Sequence, residues 1–474
     1  MLIGREPEKQ TLIDSINEED SKFIAVYGRR RVGKTYLIRE VFDNNFTFAH
    51  AGLSDGTYEQ QLYAFSESLK RFGLKEFPEI KNWLDAFERL KDLIEQNKSK
   101  KKVIFLDELA WLDTPKSGLI VALENFWNSW ASGRKDIVLI VCASATSWMV
   151  DKIIHNKGGL YNRLSAQIHV KPFKLAECHS FLESKKIIMN PYEILELYMA
   201  IGGIPYYWTF VKKGKSAAQN IDHLFFEEQA PLKDEYKYLY SSLFKNPEKH
   251  IAIVETLAKI KIGMTRDEII KTAKMPNSGN ITKILNELIS CGFIRKYTPF
   301  MKKNRDSLFQ LIDNYTLFYF QFLEKEPQDE HFWSNDLNSS TKKAWCGTAF
   351  ERVCLEHISE IKQKLGISGV STNVHSWFCK ADKGLGLNGA QIDLLIVRRD
   401  KIINVCEMKF SQENYSFTKK DDESLRNKIG AFKTVTKTKF SVHPTLVTTY
   451  GLNEGLYSGN IQSVITAEDL FKKS

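Results

Sequence analysis

The sequence predicts a multidomain α/β protein. Its 474 residues suffice for about three domains of roughly 150 residues each. In the first third, the short apolar runs 23–27, 103–106 and 137–141 alternate with helical patterns. Runs that are apolar on both faces are typical of strands in a parallel sheet covered by helices. Two more strand-like runs, 391–397 and 402–409, indicate a second α/β unit near the C-terminus.

Composition narrows the class of protein. Apolar residues make up 43% and charged residues 26%, which is ordinary for a globular chain and argues against disorder or a coiled coil. The net charge of +9 permits nucleic-acid or phosphate partners without demonstrating them. The seven cysteines contain no C-x-x-C pair, so neither a disulfide framework nor a structural zinc site is indicated. No membrane span or signal-peptide pattern occurs, and we therefore expect a cytoplasmic protein without a membrane partner.

A phosphate-binding motif follows the first apolar run. Gly28-Arg29-Arg30-Arg31-Val32-Gly33-Lys34-Thr35 matches G-x-x-x-x-G-K-[ST], between a predicted strand and a predicted helix. The glycines allow consecutive backbone N–H groups to face a phosphate at the positive end of the helix. We expect Lys34 to neutralise the β- and γ-phosphate oxygens and Thr35 to bind Mg²⁺. The motif predicts a site for ATP or ADP.

A second motif supplies carboxylates for the same chemistry. The apolar run 103–106 delivers Asp107 and Glu108 at its C-terminal end, where open α/β sheets place their ligands. Asp107 suits the Mg²⁺ shell, and Glu108 suits polarisation of the attacking water. The two motifs together predict nucleotide hydrolysis with ATP and Mg²⁺.

With these motifs, the N-terminal half resembles the AAA+ ATPases, in the archaeal and bacterial branch that is similar to origin-recognition ATPases. The opening Ile3-Gly4-Arg5-Glu6 resembles that family's adenine-side segment. The resemblance implies a catalytic sensor role for Ser144 and a γ-phosphate-responsive role for Arg163. Gly202-Gly203-Ile204-Pro205 resembles the lid motif of this branch, although no arginine stands beside it. The resemblance also implies a possible homo-oligomer, because an arginine can act in trans.

The middle of the chain carries a helix and hairpin pattern. Thr265 and Glu268 fit a capping box, and a helical pattern over 281–288 follows. Strand-like segments at 293–297 and 308–311 flank a basic turn. This pattern resembles a winged helix, a module that serves either DNA binding or protein contact.

The C-terminal strand pair carries a second candidate site. Glu407 and Lys409 share one face of their strand, since side chains two apart on a strand point the same way. An antiparallel hairpin would bring Asp393 close to Lys409. The D…E-x-K spacing resembles the PD-(D/E)xK restriction-endonuclease-like superfamily, with Glu351 as a further acid on a helix expected to run to about Lys364. The resemblance implies that Glu351, Asp393 and Glu407 hold Mg²⁺ while Lys409 activates water to cleave phosphodiester bonds.

These patterns predict the full architecture: a P-loop AAA+ parallel sheet with a helical lid, a winged helix, and a C-terminal α/β restriction-endonuclease-like domain. One hypothesis is an ATP-hydrolysing protein that binds DNA and cleaves it with Mg²⁺. The alternative is a nucleotide-controlled switch or assembly ATPase whose nuclease-like domain only binds a partner, and a third is a transcription regulator. The predicted boundaries are 1–170 for the ATPase core, 171–245 for the lid, 246–325 for the winged helix, 326–341 for a polar linker and 342–474 for the nuclease-like domain.

Overall fold

A computed structural model describes residues 2–144, 146–244, 246–336, 339–382, 384 and 387–472. The chain forms two compact units. The first comprises Met1–Pro172 with Leu243–Lys245, and the second comprises Phe173–Ser242 with Asn246–Ser474.

The first unit is built on a five-stranded parallel sheet with the order β2-β3-β4-β1-β5. The central strand β4 pairs with β1 on one side and β3 on the other, and all seven of its residues are buried. Its continuous apolar run follows from this position, because neither face of the strand meets water. The strands are β1 (Lys22–Tyr27), β2 (Phe48–Ala51), β3 (Lys102–Asp107), β4 (Ile137–Ala143) and β5 (Ala166–His169).

Helices cover this sheet, as the alternating pattern predicts. A core of aromatic and aliphatic residues, among them Phe65, Trp83, Phe87 and Phe126, packs on one face of the strands. The helices are α1 (Glu6–Asn17), α2 (Lys34–Val41), α3 (Tyr58–Arg71), α4 (Trp83–Gln96), α5 (Leu109–Leu112), α6 (Leu119–Ser129) and α7 (Thr146–Met149).

The second unit begins with short helices, in agreement with the helical pattern predicted after residue 171. Asn190 caps one of them in a capping box with Glu193, and Pro191 occupies its first turn. The Gly203 backbone packs so closely on Phe173 that a Cβ at Gly203 would lie 1.8 Å from the Phe173 carbonyl oxygen. The helices are α8 (Leu175–Ser184), α9 (Pro191–Ile201), α10 (Pro205–Trp208), α11 (Ala217–Phe225) and α12 (Glu235–Leu239).

A helix-hairpin module, residues 248–311, follows in the same unit. Thr265 and Glu268 form the predicted capping box. The predicted hairpin is present, and β7 and β8 pair antiparallel within a three-stranded sheet of order β6-β8-β7. The elements are α13 (Glu248–Ala258), β6 (Met264–Thr265), α14 (Arg266–Thr272), α15 (Gly279–Ser290), β7 (Ile294–Tyr297) and β8 (Leu308–Leu311).

The segment predicted as a polar linker contains a buried tryptophan, Trp333. Helix α16 (Asn314–Phe318) precedes it, and Trp333 from the segment packs against Phe318 and Phe322. The backbone N–H of Trp333 donates to the Asp222 carboxylate at 2.7 Å. Residues 337–338 of this segment lie outside the described residues.

The C-terminal part of the second unit is a mixed sheet of order β13-β12-β11-β10-β9. β10 pairs antiparallel with β9 and β11, whereas β11, β12 and β13 run parallel. The antiparallel hairpin of β10 and β11 is the one that the sequence predicts. The strands are β9 (Thr372–Cys379), β10 (Ala390–Arg398), β11 (Ile402–Lys409), β12 (Ser441–Thr448) and β13 (Ser463–Thr466).

The helix predicted to run to about Lys364 is broken at His357. That residue has φ −111°, its Nδ1 lies 2.8 Å from the Val353 carbonyl oxygen, and its Nε2 accepts from the Leu175 backbone N–H. The break divides the segment into α17 (Ser340–Glu356) and α18 (Ile358–Lys364). Two further helices, α19 (Lys419–Thr436) and α20 (Ala467–Leu470), complete the unit.

Among the residues that the structure describes, no helix is both long and apolar enough to cross a membrane.

Candidate active site

The predicted phosphate loop joins β1 to α2 in the first unit. It needs its glycines, because Gly28 has φ +146° and a Cβ there would lie 2.3 Å from the Val170 carbonyl oxygen. Gly33 has φ +90°, in the left-handed region, where it begins α2. Arg31 also adopts a positive φ of 69°. Within the loop Arg29 and Val32 are buried, while Arg30 and Arg31 are half-buried.

Lys34, the first residue of α2, is 5% exposed and is held in place by three acceptors. Its Nζ donates to the carbonyl oxygens of Gly28 at 3.0 Å and Arg29 at 3.1 Å. It also donates to Ser144 Oγ at 2.9 Å. The ammonium group therefore lies inside the loop that the sequence predicts to surround a phosphate.

The side chains of Thr35 and Asp107 are hydrogen-bonded to each other. Thr35 Oγ1 donates to Asp107 Oδ2 at 2.8 Å, and the other oxygen, Oδ1, accepts from the Glu108 backbone N–H at 3.0 Å. Burial raises the pKa of the neighbouring Cys142 thiol, which therefore stays neutral beside Asp107. A hydroxyl and a carboxylate at this spacing are oxygen ligands of the kind Mg²⁺ prefers.

Glu108 is fixed by Ser144. Its Oε1 accepts from Ser144 Oγ at 2.5 Å, and its Oε2 accepts from the Ser144 backbone N–H at 3.0 Å. Glu108 has φ 46°, a left-handed conformation that costs free energy for a residue with a Cβ. Strain of this kind is typical of functional positions.

The sheet order explains why these groups converge. β4 lies between β1 and β3, so Ser144, which follows β4, stands between the phosphate loop and the Asp107-Glu108 pair. The structure thus brings together Lys34, Thr35, Asp107, Glu108 and Ser144. Arg163 is not part of this cluster; its side chain is exposed, and its backbone N–H donates to the Leu160 carbonyl at 3.2 Å.

Arg5 is a residue at this loop to which the sequence argument gave no role. It is 6% exposed, and its Nη2 donates to the Lys171 carbonyl at 2.6 Å and to the Val32 carbonyl at 3.4 Å. The guanidinium therefore ties the loop to the segment that follows β5. The sequence signal that could have identified Arg5 is its place in the Ile3-Gly4-Arg5-Glu6 opening.

Around the acids of the predicted C-terminal metal site the structure shows two clusters of contacts. Glu351 of α17 and Asp393 of β10 line one cavity together with Lys261 and Arg295 of the helix-hairpin module. Lys261 Nζ lies 2.7 Å from Glu351 Oε2. Burial, followed by the Asp393 charge, raises the pKa of Glu351. Cations of the helix-hairpin module therefore lie beside these two acids.

Glu407 and Lys409 form the other cluster. They lie 3.3 Å apart, as their shared strand face predicts, but Glu407 is also bound by Lys428 of α19 at 2.7 Å. Lys409 lies 3.8 Å from Asp421 of the same helix. Both residues are thus partnered by α19, whereas Asp393 lines a cavity with α17.

Glu351 and Asp393 thus lie at one cavity and Glu407 is paired with two lysines, while the Mg²⁺-binding role of the three acids stays a prediction. Among the described residues, no group of three or more His, Cys, Asp or Glu side chains is placed to hold a metal ion. The pairing of β10 with β9 has a register shift between Ile392 and Leu395, beside Asp393. Sequence spacing cannot reveal such a bulge.

Comparison with known proteins agrees with the geometry of the first unit. Residues 2–210 match the family described as "ATPase domain predominantly from Archaea". An uncharacterised protein of Methanocaldococcus jannaschii is 24% identical over 427 residues, covering 86% of this chain and 88% of its own. An uncharacterised ATP-binding protein of the same organism is 43% identical over 44 residues, covering 9% of this chain and 75% of its own.

A solved structure, the Walker-type ATPase of Pyrococcus abyssi, aligns with a TM-score of 0.47 at 16% identity, covering 67% of this chain and 95% of that one. The Aeropyrum pernix ORC2 protein aligns with a TM-score of 0.44 at 12% identity, covering 76% and 96%. The N-terminal part of the chain thus matches an ATPase-domain family and is built on a parallel sheet with a P-loop sequence motif.

Proposed function

We propose that the first unit is an AAA+ ATPase core that binds ATP with Mg²⁺ and hydrolyses it. The observation that carries the proposal is the convergence of Lys34, Thr35, Asp107, Glu108 and Ser144 at one edge of the sheet. A lysine, a Mg²⁺-binding hydroxyl and two carboxylates are the groups that phosphoryl transfer to water requires.

Each residue has a distinct part in this proposal. Lys34 exchanges its bonds to loop carbonyls for bonds to phosphate oxygens, and the N-terminus of α2 adds its positive dipole end. Thr35 and Asp107 hold Mg²⁺, which when bound neutralises charge on the transferred phosphoryl group. Glu108 orients the attacking water and accepts its proton. Ser144 positions both Lys34 and Glu108, since it bonds to each.

The proposal is tested by measuring ATP affinity and steady-state hydrolysis for the full chain and for Lys34→Ala. We expect the variant to lose ATP affinity and turnover together, because Lys34 contributes the cation inside the loop. Lys213→Ala, an exposed lysine of the second unit, is the matched control. Undiminished ATP affinity in Lys34→Ala would contradict the proposal.

For the second unit, we propose that the helix-hairpin module is a winged helix and that the C-terminal sheet is a restriction-endonuclease-like fold that binds DNA without cutting it. Two observations support binding over cleavage: Glu351 is paired with Lys261, and Glu407 is paired with Lys428. The exposed hairpin residues Lys302 and Lys303 support an anionic partner, because neither makes an ion pair among the described residues. This is the switch alternative, with DNA as the partner.

A cleavage assay separates the two alternatives. Plasmid and linear DNA are incubated with the full chain and Mg²⁺ or Mn²⁺, with and without ATP, beside Lys409→Ala. We expect no cleavage above background for either protein. Metal-dependent cutting that disappears in Lys409→Ala would instead establish a nuclease and overturn the binding proposal.

A further inference from the structure

A groove in the second unit combines an apolar lining with a cationic rim. It is lined by the hairpin tip, the end of β9 and the end of α19, and it is open to solvent. Met301 and Val435, both exposed, and the partly buried Phe300 and Phe378 supply apolar surface. The full lining is Pro299, Phe300, Met301, Lys302, Trp377, Phe378, Cys379, Lys380, Val435 and Thr436.

The cations at this groove are available to a ligand. Lys302 and Lys380 line it, both are exposed, and neither makes an ion pair among the described residues. Among the residues that the structure describes, the lining contains no carboxylate. Lys303, Lys437 and Lys439 stand within three residues of the lining along the chain and are also exposed and without an ion pair in the described part of the chain.

Three other cations of α19 are already paired with carboxylates, unlike the lysines of the groove. Lys428 is bound to Glu407, Arg426 is bound to Asp422, and Lys419 lies 3.8 Å from Glu423. These three side chains lie on α19 before its last two turns. The end of α19 and the hairpin tip therefore carry several exposed cations that make no ion pair among the described residues.

We propose that this groove binds single-stranded DNA, a partner class that rests on the DNA-binding function proposed for the second unit. The phosphates of the single strand would contact the lysines at the rim, and its unstacked bases would pack against Phe300, Met301 and Phe378. A duplex offers no base faces to an apolar surface, so it would leave these side chains in water.

The polar groups of the lining favour DNA over RNA. Thr436 is the hydroxyl residue in the lining, and its Oγ1 already donates to the Phe432 carbonyl at 2.6 Å. Among the described residues, the remaining lining side chains with polar atoms are two lysines, a cysteine and the buried Trp377. The groove can therefore contact phosphates and bases, but it has few groups that would hydrogen-bond to a 2′-hydroxyl.

The test uses the full chain without nucleotide and a short fluorescent oligothymidylate across a salt series. Lys302→Glu with Lys380→Glu is expected to weaken binding at least about 10-fold and to lower the salt slope by about 0.7 per lost phosphate contact. Lys212→Glu with Lys213→Glu makes the same charge change on exposed lysines elsewhere in the unit and is expected to change affinity little. Met301→Asn suits the positive φ of that residue and is expected to weaken binding with an unchanged salt slope.

The possible outcomes separate this inference from the function on which it rests. Equal affinity of the groove and control variants overturns the inference, as does tighter binding of oligouridylate or displacement of the DNA by an acidic peptide. A chain that binds duplex but not single-stranded DNA overturns the inference and leaves the proposed DNA binding intact. Metal-dependent cutting of the oligonucleotide overturns the proposed function itself. Thermal unfolding of each variant verifies that it remains folded.

Discussion

Ser144 holds both oxygens of the Glu108 carboxylate, with its hydroxyl at 2.5 Å from Oε1 and its backbone N–H at 3.0 Å from Oε2. The same hydroxyl lies 2.9 Å from Lys34 Nζ. A single side chain thus connects the phosphate-binding cation to the carboxylate proposed to orient water. Its position follows from the place of β4 between β1 and β3.

The first prediction concerns this connection. Ser144→Ala keeps the backbone bond to Glu108 and removes the hydroxyl bonds to Glu108 and Lys34. We expect kcat for ATP hydrolysis to fall about 10²-fold with a smaller change in ATP affinity, because Glu108 loses its orientation. Ser144→Thr is expected to restore part of the rate, since it restores a hydroxyl. Equal rates for Ser144→Ala and the unmodified protein would remove Ser144 from the mechanism.

The second prediction concerns Gly28. In Gly28→Ala the added Cβ would lie 2.3 Å from the Val170 carbonyl oxygen, so the loop or the segment that follows β5 must move. We expect loss of ATP binding and a destabilisation of about 2 kcal/mol or more, from steric overlap added to backbone strain. Gly133→Ala is the control, since a Cβ there meets nothing within 4 Å. Thermal unfolding and ATP titration measure the two effects; wild-type values for Gly28→Ala would refute the close approach.

The third prediction concerns pH. Burial is the largest cause that raises the pKa of Glu356, to about 7 overall; the Tyr198 hydroxyl lowers it, the Asp313 charge raises it, and Arg295 and Arg352 lower it. Because the folded pKa lies above the unfolded value of 4.5, the protonated carboxyl favours the folded state below about pH 4.5. This contribution to stability is lost as pH rises through about 7.

Glu356→Gln keeps an acceptor for the Tyr198 hydroxyl, which lies 3.1 Å from Glu356 Oε2, and it cannot ionise. Relative to the unmodified protein, the free energy of unfolding of the variant should rise by on the order of 3 kcal/mol as the pH increases from 5 to 8. Glu454→Gln, at an exposed position, should show no such gain. Urea unfolding at several pH values measures the difference, and parallel pH profiles for all three proteins would contradict the assignment.

Much of the first unit was predictable from the sequence. The apolar runs 23–27, 103–106 and 137–141 lie in β1, β3 and β4, because buried parallel strands have no polar face to blur the pattern. The short strand β2 was not predicted, because its four residues are too few to show a distinct apolar pattern. The sheet order was also beyond the sequence argument, so the contact of Ser144 with both Lys34 and Glu108 could not be predicted.

The C-terminal site was harder to predict. Spacing identified the antiparallel hairpin and the shared face of Glu407 and Lys409. It could not reveal the bulge beside Asp393, because a bulge adds one residue without changing the composition of the strand. Nor could it reveal that Lys261, far away in the chain, would pair with Glu351. Long-range partners of this kind depend on how the module packs within the second unit.

The most direct test of the ATPase proposal is a comparison of ATP binding and hydrolysis for the unmodified protein and Glu108→Gln. Glutamine keeps the size of the side chain and an acceptor for Ser144, but it cannot take a proton from water. The account predicts that the variant binds ATP with near-normal affinity while hydrolysis falls about 10²- to 10⁴-fold. Hydrolysis by Glu108→Gln at the unmodified rate would contradict the assignment of Glu108 and with it the proposed chemistry of the site.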